Sequence, residues 1–212
     1  MRKFILVIAM FLITSFMVGA QTEQGGGGDI AVELTMTPFT GSEAWLTPGY
    51  IKGRYFFGDF GARLSVGTGM LFSTDQEHQP ETVKNLSFFD IRPGVEYYLS
   101  RSGQALPFVG LDLIFANQKT SYDASVGAPV TGAWDIENLQ NRGFFAFGFN
   151  LVAGGDYYLG GGGFFIGTEL GFEFLYFNNH EVKWGEEIRI PKTKTAQFKP
   201  TLSSVLRIGV AF

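Results

Sequence analysis

Thirteen ionisable side chains recur at alternate positions within otherwise apolar stretches, and they are the first place to look for chemistry. The bases are Lys52, Arg54, Arg63, Arg92, Lys199 and Arg207; the acids are Glu33, Asp90, Glu96, Asp112, Asp156, Glu169 and Glu173. Residues two apart in an extended chain share a face, so these charges are expected to converge on one side of a sheet. Two chemistries are open to such a set. Glu96, Asp112, Glu169 and Glu173 could line a cation path, or the six bases and seven acids could pair with one another. Buried charge persists only when it is paired, and the pairing reading accounts for both signs at once. It is favoured.

General acid–base or nucleophilic work would need a histidine beside a serine or carboxylate. Only His78, in Glu77-His78-Gln79-Pro80, and His180, in Asn179-His180-Glu181, are available. Both fall in polar segments and read as solvated loop residues. No nucleophile elbow, zinc spacing or phosphate loop occurs, and Gly160 to Gly163 reads as a turn because no lysine or hydroxyl residue follows it. No catalytic, cofactor-binding or metal residue is therefore assigned. Trp45, Trp134 and Trp184 lie in three different polar segments; they read as packing or interface residues, with anchoring of a partner or lipopolysaccharide as the sharper alternative.

The elements that must carry these residues alternate with period two. Ile30 to Met36 is the first run, followed by runs from Ile51 to Phe57, Leu64 to Phe72, Phe89 to Leu99, Val109 to Phe115, Phe145 to Leu159, Ile166 to Tyr176 and Phe198 to Phe212. Strict alternation over such lengths is a strand signal. Long polar connections (37–49, 73–87, 117–143 and 178–197) take turns with short ones at Gly58-Asp59-Phe60-Gly61, Ser100 to Gln104 and Gly160 to Gly163. That rhythm predicts about eight strands in an up-and-down order, with four long loops on one side. A hairpin echoes internally: Gly94-Val95-Glu96-Tyr97-Tyr98-Leu99 is matched by Gly154-Gly155-Asp156-Tyr157-Tyr158-Leu159. Tyr97 and Tyr157 fall beside short turns, where an interfacial aromatic girdle would sit.

The N-terminus reads as an export signal over residues 1–20. Arg2 and Lys3 precede an apolar run from Phe4 to Phe16, and Val18-Gly19-Ala20 offers small residues for cleavage before Gln21. Residues 21–28 form a Gly-rich lead-in, and 29–212 one domain. With Arg2 and Lys3 gone, 14 bases face 20 acids, a net charge of −6 that argues against nucleic acid as a partner. The chain has no cysteine, which excludes a lipoprotein anchor and a disulfide framework.

Which face meets which medium follows from volume. Phenylalanine numbers 23 and charged residues are only 17% of the chain, so the apolar rows hold far more bulk than the interior of about eight strands can enclose. They must point outward, and only hydrocarbon tolerates that. The opposite rows carry the ionisable residues together with many glycines, as a narrow and plugged lumen would require. Over essentially its whole mature length the chain resembles the small eight-stranded outer-membrane proteins of the OmpA-barrel and OmpX type, within the outer membrane β-barrel or porin family. The most specific shared feature is the last strand, Leu206-Arg207-Ile208-Gly209-Val210-Ala211-Phe212, alternating and ending in an aromatic. The resemblance implies that Phe212 is an assembly signal read by the outer-membrane assembly machinery, and that the cell outer membrane, with its lipopolysaccharide, is the location. Unlike full-length OmpA proteins, the chain is expected to have no peptidoglycan-binding domain after Phe212. The expected role is non-enzymatic, structural or surface-interacting, with an extracellular partner reached through the loops. The alternatives are a narrow porin for ions or small solutes and, third, a lipid A-modifying enzyme.

Overall fold

The computed structural model describes residues 30–36, 48–75, 82–124, 128–133, 142–160 and 163–212. The expected export signal and Gly-rich lead-in, together with His78, Trp45 and Trp134, lie outside the described residues.

Eight antiparallel strands close on themselves: β1 (Ile30–Met36), β2 (Pro48–Phe57), β3 (Phe60–Asp75), β4 (Thr82–Tyr98), β5 (Ala105–Ala124), β7 (Phe144–Tyr158), β8 (Phe164–Asn179) and β11 (Thr193–Ala211). Each pairs with its neighbours in sequence, and β11 returns to β1 through partners such as Val32↔Val210 and Leu34↔Ile208. Closure leaves no open edge along the cylinder, so ladder groups pair on both sides of each strand apart from local register breaks such as that between Thr201 and Val205. At the seam Phe212 N donates to Ile30 O at 2.8 Å, and Ile30 N donates back to Phe212 O at 3.2 Å.

The period-two pattern translates directly into facing. On β8 burial alternates residue by residue: Phe165, Gly167, Glu169, Gly171 and Glu173 are buried, while Phe164, Ile166, Leu170 and Phe172 are exposed. The same alternation exposes Ile51, Tyr55, Leu64, Val95, Val109, Leu111, Phe147, Phe149 and Leu151 on the outside. Near the short turns the outer surface is aromatic. Tyr55 stacks with Phe57, Phe57 with Phe60, and Phe60 packs on Tyr97 at 5.1 Å between centroids. Gly58, at φ 60, lets β2 reverse into β3 through two residues, Gly58-Asp59.

Strands run further than the sequence rhythm suggests. β5 has 20 residues and β11 has 19, whereas about 9–11 tilted residues cross a bilayer. The expected long connections 73–87, 117–143 and 178–197 are therefore partly strand. Threonine, serine and lysine on these extensions alternate just as well in water, and a growing ladder satisfies backbone groups whether or not lipid surrounds it. Three short strands extend the sheet beyond the cylinder: β6 (Val130–Thr131), β9 (Val182–Trp184) and β10 (Glu187–Ile190), in the order β5-β6-β9-β10. They enclose a small core of Val130, Ala133 and Val182 with Tyr122 and Ile190 packed on it.

Candidate functional site

The lumen holds the thirteen ionisable residues, and each makes at least one ion pair. They form two groups. In the lower group Arg54, wholly buried, lies 2.9 Å from Glu33, 3.3 Å from Glu96 and 2.6 Å from Asp156. Arg63 grips Asp112 through two bonds, Nε to Oδ1 at 2.6 Å and Nη2 to Oδ2 at 2.7 Å, and also reaches Glu96 and Glu169. Lys52 joins Glu33 at 3.2 Å to Glu169 at 3.1 Å. Arg207 meets Asp156, Glu169 and Glu33.

Register explains why these contacts are forced. Arg54 on β2 stands directly opposite Arg63 on β3, a like-charge pairing that alone would destabilise the ladder. Glu96 on β4 resolves it by placing one carboxylate oxygen against each guanidinium, both at 3.3 Å. The Tyr98 hydroxyl, two residues further along the same face, donates to Glu96 at 2.7 Å. The carboxylate of Glu33 meets its cations at ion-pair distance but without hydrogen-bond alignment, so its attraction is chiefly Coulombic. Glycines supply the space for this packing. A Cβ at Gly94 would fall 2.1 Å from Asp112 Oδ1, and one at Gly167 would fall 2.4 Å from Asp156 Oδ1.

The upper group is smaller. Arg92 pairs with Asp90 at 2.7 Å and Glu173 at 3.0 Å, and its guanidinium lies 4.7 Å from the centre of the Tyr50 ring. Lys199 reaches Glu173 at 3.1 Å. The Tyr50 hydroxyl donates to Asp90 at 2.7 Å.

Below the ions, at the short-turn end, the inward rows turn aromatic. Phe56, Tyr98, Phe108, Tyr158 and Phe165 are buried with Ala31, Leu106 and Val152. Arginines are layered onto them: Arg54 sits 4.7 Å from the Phe165 ring centre, Arg207 4.6 Å from Phe108, and Arg101 5.4 Å from Phe56. The alternation of charged residues does not by itself single out the aromatics of this floor. Parity was the available signal, because Phe108 shares its face with Asp112, and Phe165 with Glu169.

At the opposite end Arg142 ties two outer connections together. Its Nε donates to His180 O at 2.7 Å, Nη2 to Pro191 O at 2.5 Å and Nη1 to Thr193 Oγ1 at 3.3 Å. His180 thus contributes backbone to this junction, with its own N–H donating to Gly143 O. Among the described residues, no hydrogen bond or ion pair joins its imidazole to a serine or carboxylate. Trp184 is partly exposed on β9 with the Arg189 guanidinium 5.4 Å from its ring centre. Beside it Lys183 pairs with Glu181 at 2.8 Å, and that hydrogen bond holds the Glu181 carboxyl below its ordinary pKa. No group of three or more potential metal ligands occurs among the described residues.

A family model described as the outer membrane protein beta-barrel domain matches residues 6–199. No curated protein sequence matches the chain.

Proposed function

Because the chain belongs to the outer membrane protein beta-barrel domain family and resides in the outer membrane, we propose that it acts there without catalysis, as a rigid barrel that displays its outer connections for structural or surface contacts. The observation that carries this reading is the filled lumen. Two ion-pair groups stand on an aromatic floor, and the side chains of the lower group are almost wholly buried. A permeation path would need these pairs to separate, and removing one partner of a buried pair costs about 3–5 kcal/mol. The narrow-porin alternative is correspondingly disfavoured. His180, bound through its backbone, gives no support to lipid-modifying chemistry.

In this reading the outer-membrane lipid and lipopolysaccharide surround the apolar rows, Phe212 serves as the signal for the assembly machinery, and an extracellular partner meets the outer connections. The β5-β6-β9-β10 extension, stapled by Arg142, gives that surface a fixed shape. The test has two arms. Purified protein in planar bilayers should show no unit conductance across voltages, and a variant with residues 181–192 replaced by a short Gly-Ser turn should insert yet lose surface binding or adhesion. Steady ohmic steps from the native protein, or an unchanged surface phenotype in the shortened variant, would overturn the proposal.

A further inference from the structure

The outer third of the lumen differs in character from the plugged part below it. Above Asp90 the inward rows of β3 and β4 become apolar: register sets Gly69 against Phe88 and Leu71 against Leu86. Here the alternation that governs the rest of β3 breaks, since Met70, Leu71 and Phe72 are consecutive large apolar residues and all are exposed. Met70 and Phe72 face outward. Leu71 faces inward, yet it is 54% exposed. On the facing strands the Phe144 and Phe177 rings pack edge to face at 5.2 Å, beside polar register partners such as Gln118 and Thr195. An apolar lining inside a barrel mouth is what a small-molecule site offers.

The bottom of this space is polarised. In each upper ion pair the acid is turned away and the base is left accessible. The Asp90 and Glu173 side chains are 2% and 4% exposed, whereas Arg92 is 17% and Lys199 46% exposed. A ligand descending the mouth therefore meets ammonium and guanidinium groups, with the carboxylates behind them. Asp90 and Leu86 are four residues apart, roughly 13 Å along the strand. Strand tilt shortens this to about 10 Å along the barrel axis.

We infer that the outer lumen is a binding cup for a single-chain monocarboxylate of medium length, its acid group on Lys199 and Arg92 and its apolar chain along Phe88, Leu86 and Leu71. Basic floor and apolar wall are both required. A neutral alcohol would leave the floor unmet, and a cationic amphiphile would be repelled by it. The inference goes beyond the non-conducting, non-enzymatic reading, which stands whether or not the cup is occupied.

The test uses full-length mature protein in detergent-free lipid nanodiscs, with 11-(dansylamino)undecanoate as the fluorescent probe and decanoate as competitor. Saturable binding should be displaced by decanoate and left in place by decyltrimethylammonium. Lys199→Gln should weaken the probe about tenfold, because it removes one charge-assisted contact. Leu71→Ser should weaken it by a similar factor, while Lys119→Gln, an exposed lysine on the outward row of β5, should leave it unchanged. Heat-dependent gel mobility confirms that each variant is folded, and the exposed Lys199 keeps the test available if Leu71→Ser fails to insert. Absence of saturable binding would refute the cup, as would displacement by the cationic amphiphile or binding by Lys199→Gln within twofold of the native protein. Conductance of the same purified protein in planar bilayers separates this failure from failure of the plugged-barrel reading.

Discussion

Arg54→Met is the sharpest perturbation of the lumen, because methionine keeps most of the length and removes only the cation. Glu33, Glu96 and Asp156 lie within 2.6–3.3 Å of the lost guanidinium. The loss is not three independent ion pairs. Arg207 still serves Glu33 and Asp156, and Arg63 still serves Glu96, so one uncompensated buried charge is the proper reckoning. That amounts to about 3–5 kcal/mol, with ~0.5–2 kcal/mol more from the cation–π contacts to Phe165 and Phe56. At a urea slope of about 1–3 kcal/mol/M, a loss of about 4 kcal/mol moves the unfolding midpoint down by roughly 1.3–4 M. Reversible urea unfolding in phospholipid vesicles, followed by tryptophan emission and by heat-dependent gel mobility, reads that shift. Removing one carboxylate as well, in Arg54→Met with Glu33→Gln, should recover part of the lost stability, because the excess negative charge falls by one. Two results would refute the reasoning: a single variant within about 1 kcal/mol of the native protein, where the buried pair demands several, or a double variant whose loss is the plain sum of the two singles, with no coupling.

Gly209→Ala should impair folding, since its Cβ would fall 2.3 Å from Phe165 Cζ and 2.8 Å from Glu33 Cβ, whereas Gly53→Ala, with nothing within 4 Å, should be tolerated; refolding yield in vesicles separates them, the first costing about 1–3 kcal/mol by overpacking. Arg142→Ala should raise amide hydrogen exchange in β9 and β10 at least tenfold and leave the middle of β7 and β8 protected, because the three bonds that Arg142 donates to the outer connections are lost. Glu181 should titrate below an ordinary glutamate by side-chain carbonyl NMR and return toward it in Lys183→Gln. Its depressed folded pKa adds local stability above the ordinary carboxylate range, and that stability is lost as pH falls through the folded pKa.

Parity made the barrel legible in the sequence. A strand puts alternate residues on opposite faces, so Phe172 and Glu173, adjacent in sequence, are sorted to opposite sides with no further information. Volume then settled which side was outside. The same logic failed where polarity ceased to follow facing. At the floor, Phe56, Phe108, Tyr158 and Phe165 are inward because the ionic layer above them must be closed off from water, and hydrophobicity alone assigned them nowhere. At the mouth, Leu71, Leu86 and Phe88 are inward by strand parity alone, Phe88 and Leu86 sharing their row with Asp90 and Lys84. From the sequence alone the outer strand extensions and β6, β9 and β10 read as loop, because threonine, lysine and asparagine signal solvent exposure. Their pairing depends on contacts between connections far apart in sequence, such as Val130↔Trp184, which no local pattern reports.

The orientation of the two faces can be tested with spin labels on β7, since the chain has no native cysteine to interfere. Single cysteines at Phe147, Phe149 and Leu151 and at Ala146, Asn150 and Val152, labelled with a nitroxide in liposomes, would be compared by power saturation with oxygen and with a water-soluble nickel chelate. Oxygen accessibility should be high at the first three positions and low at the other three, alternating residue by residue. High oxygen accessibility at Ala146, Asn150 and Val152 with low values at Phe147, Phe149 and Leu151 would place the ionic rows against lipid and contradict the account.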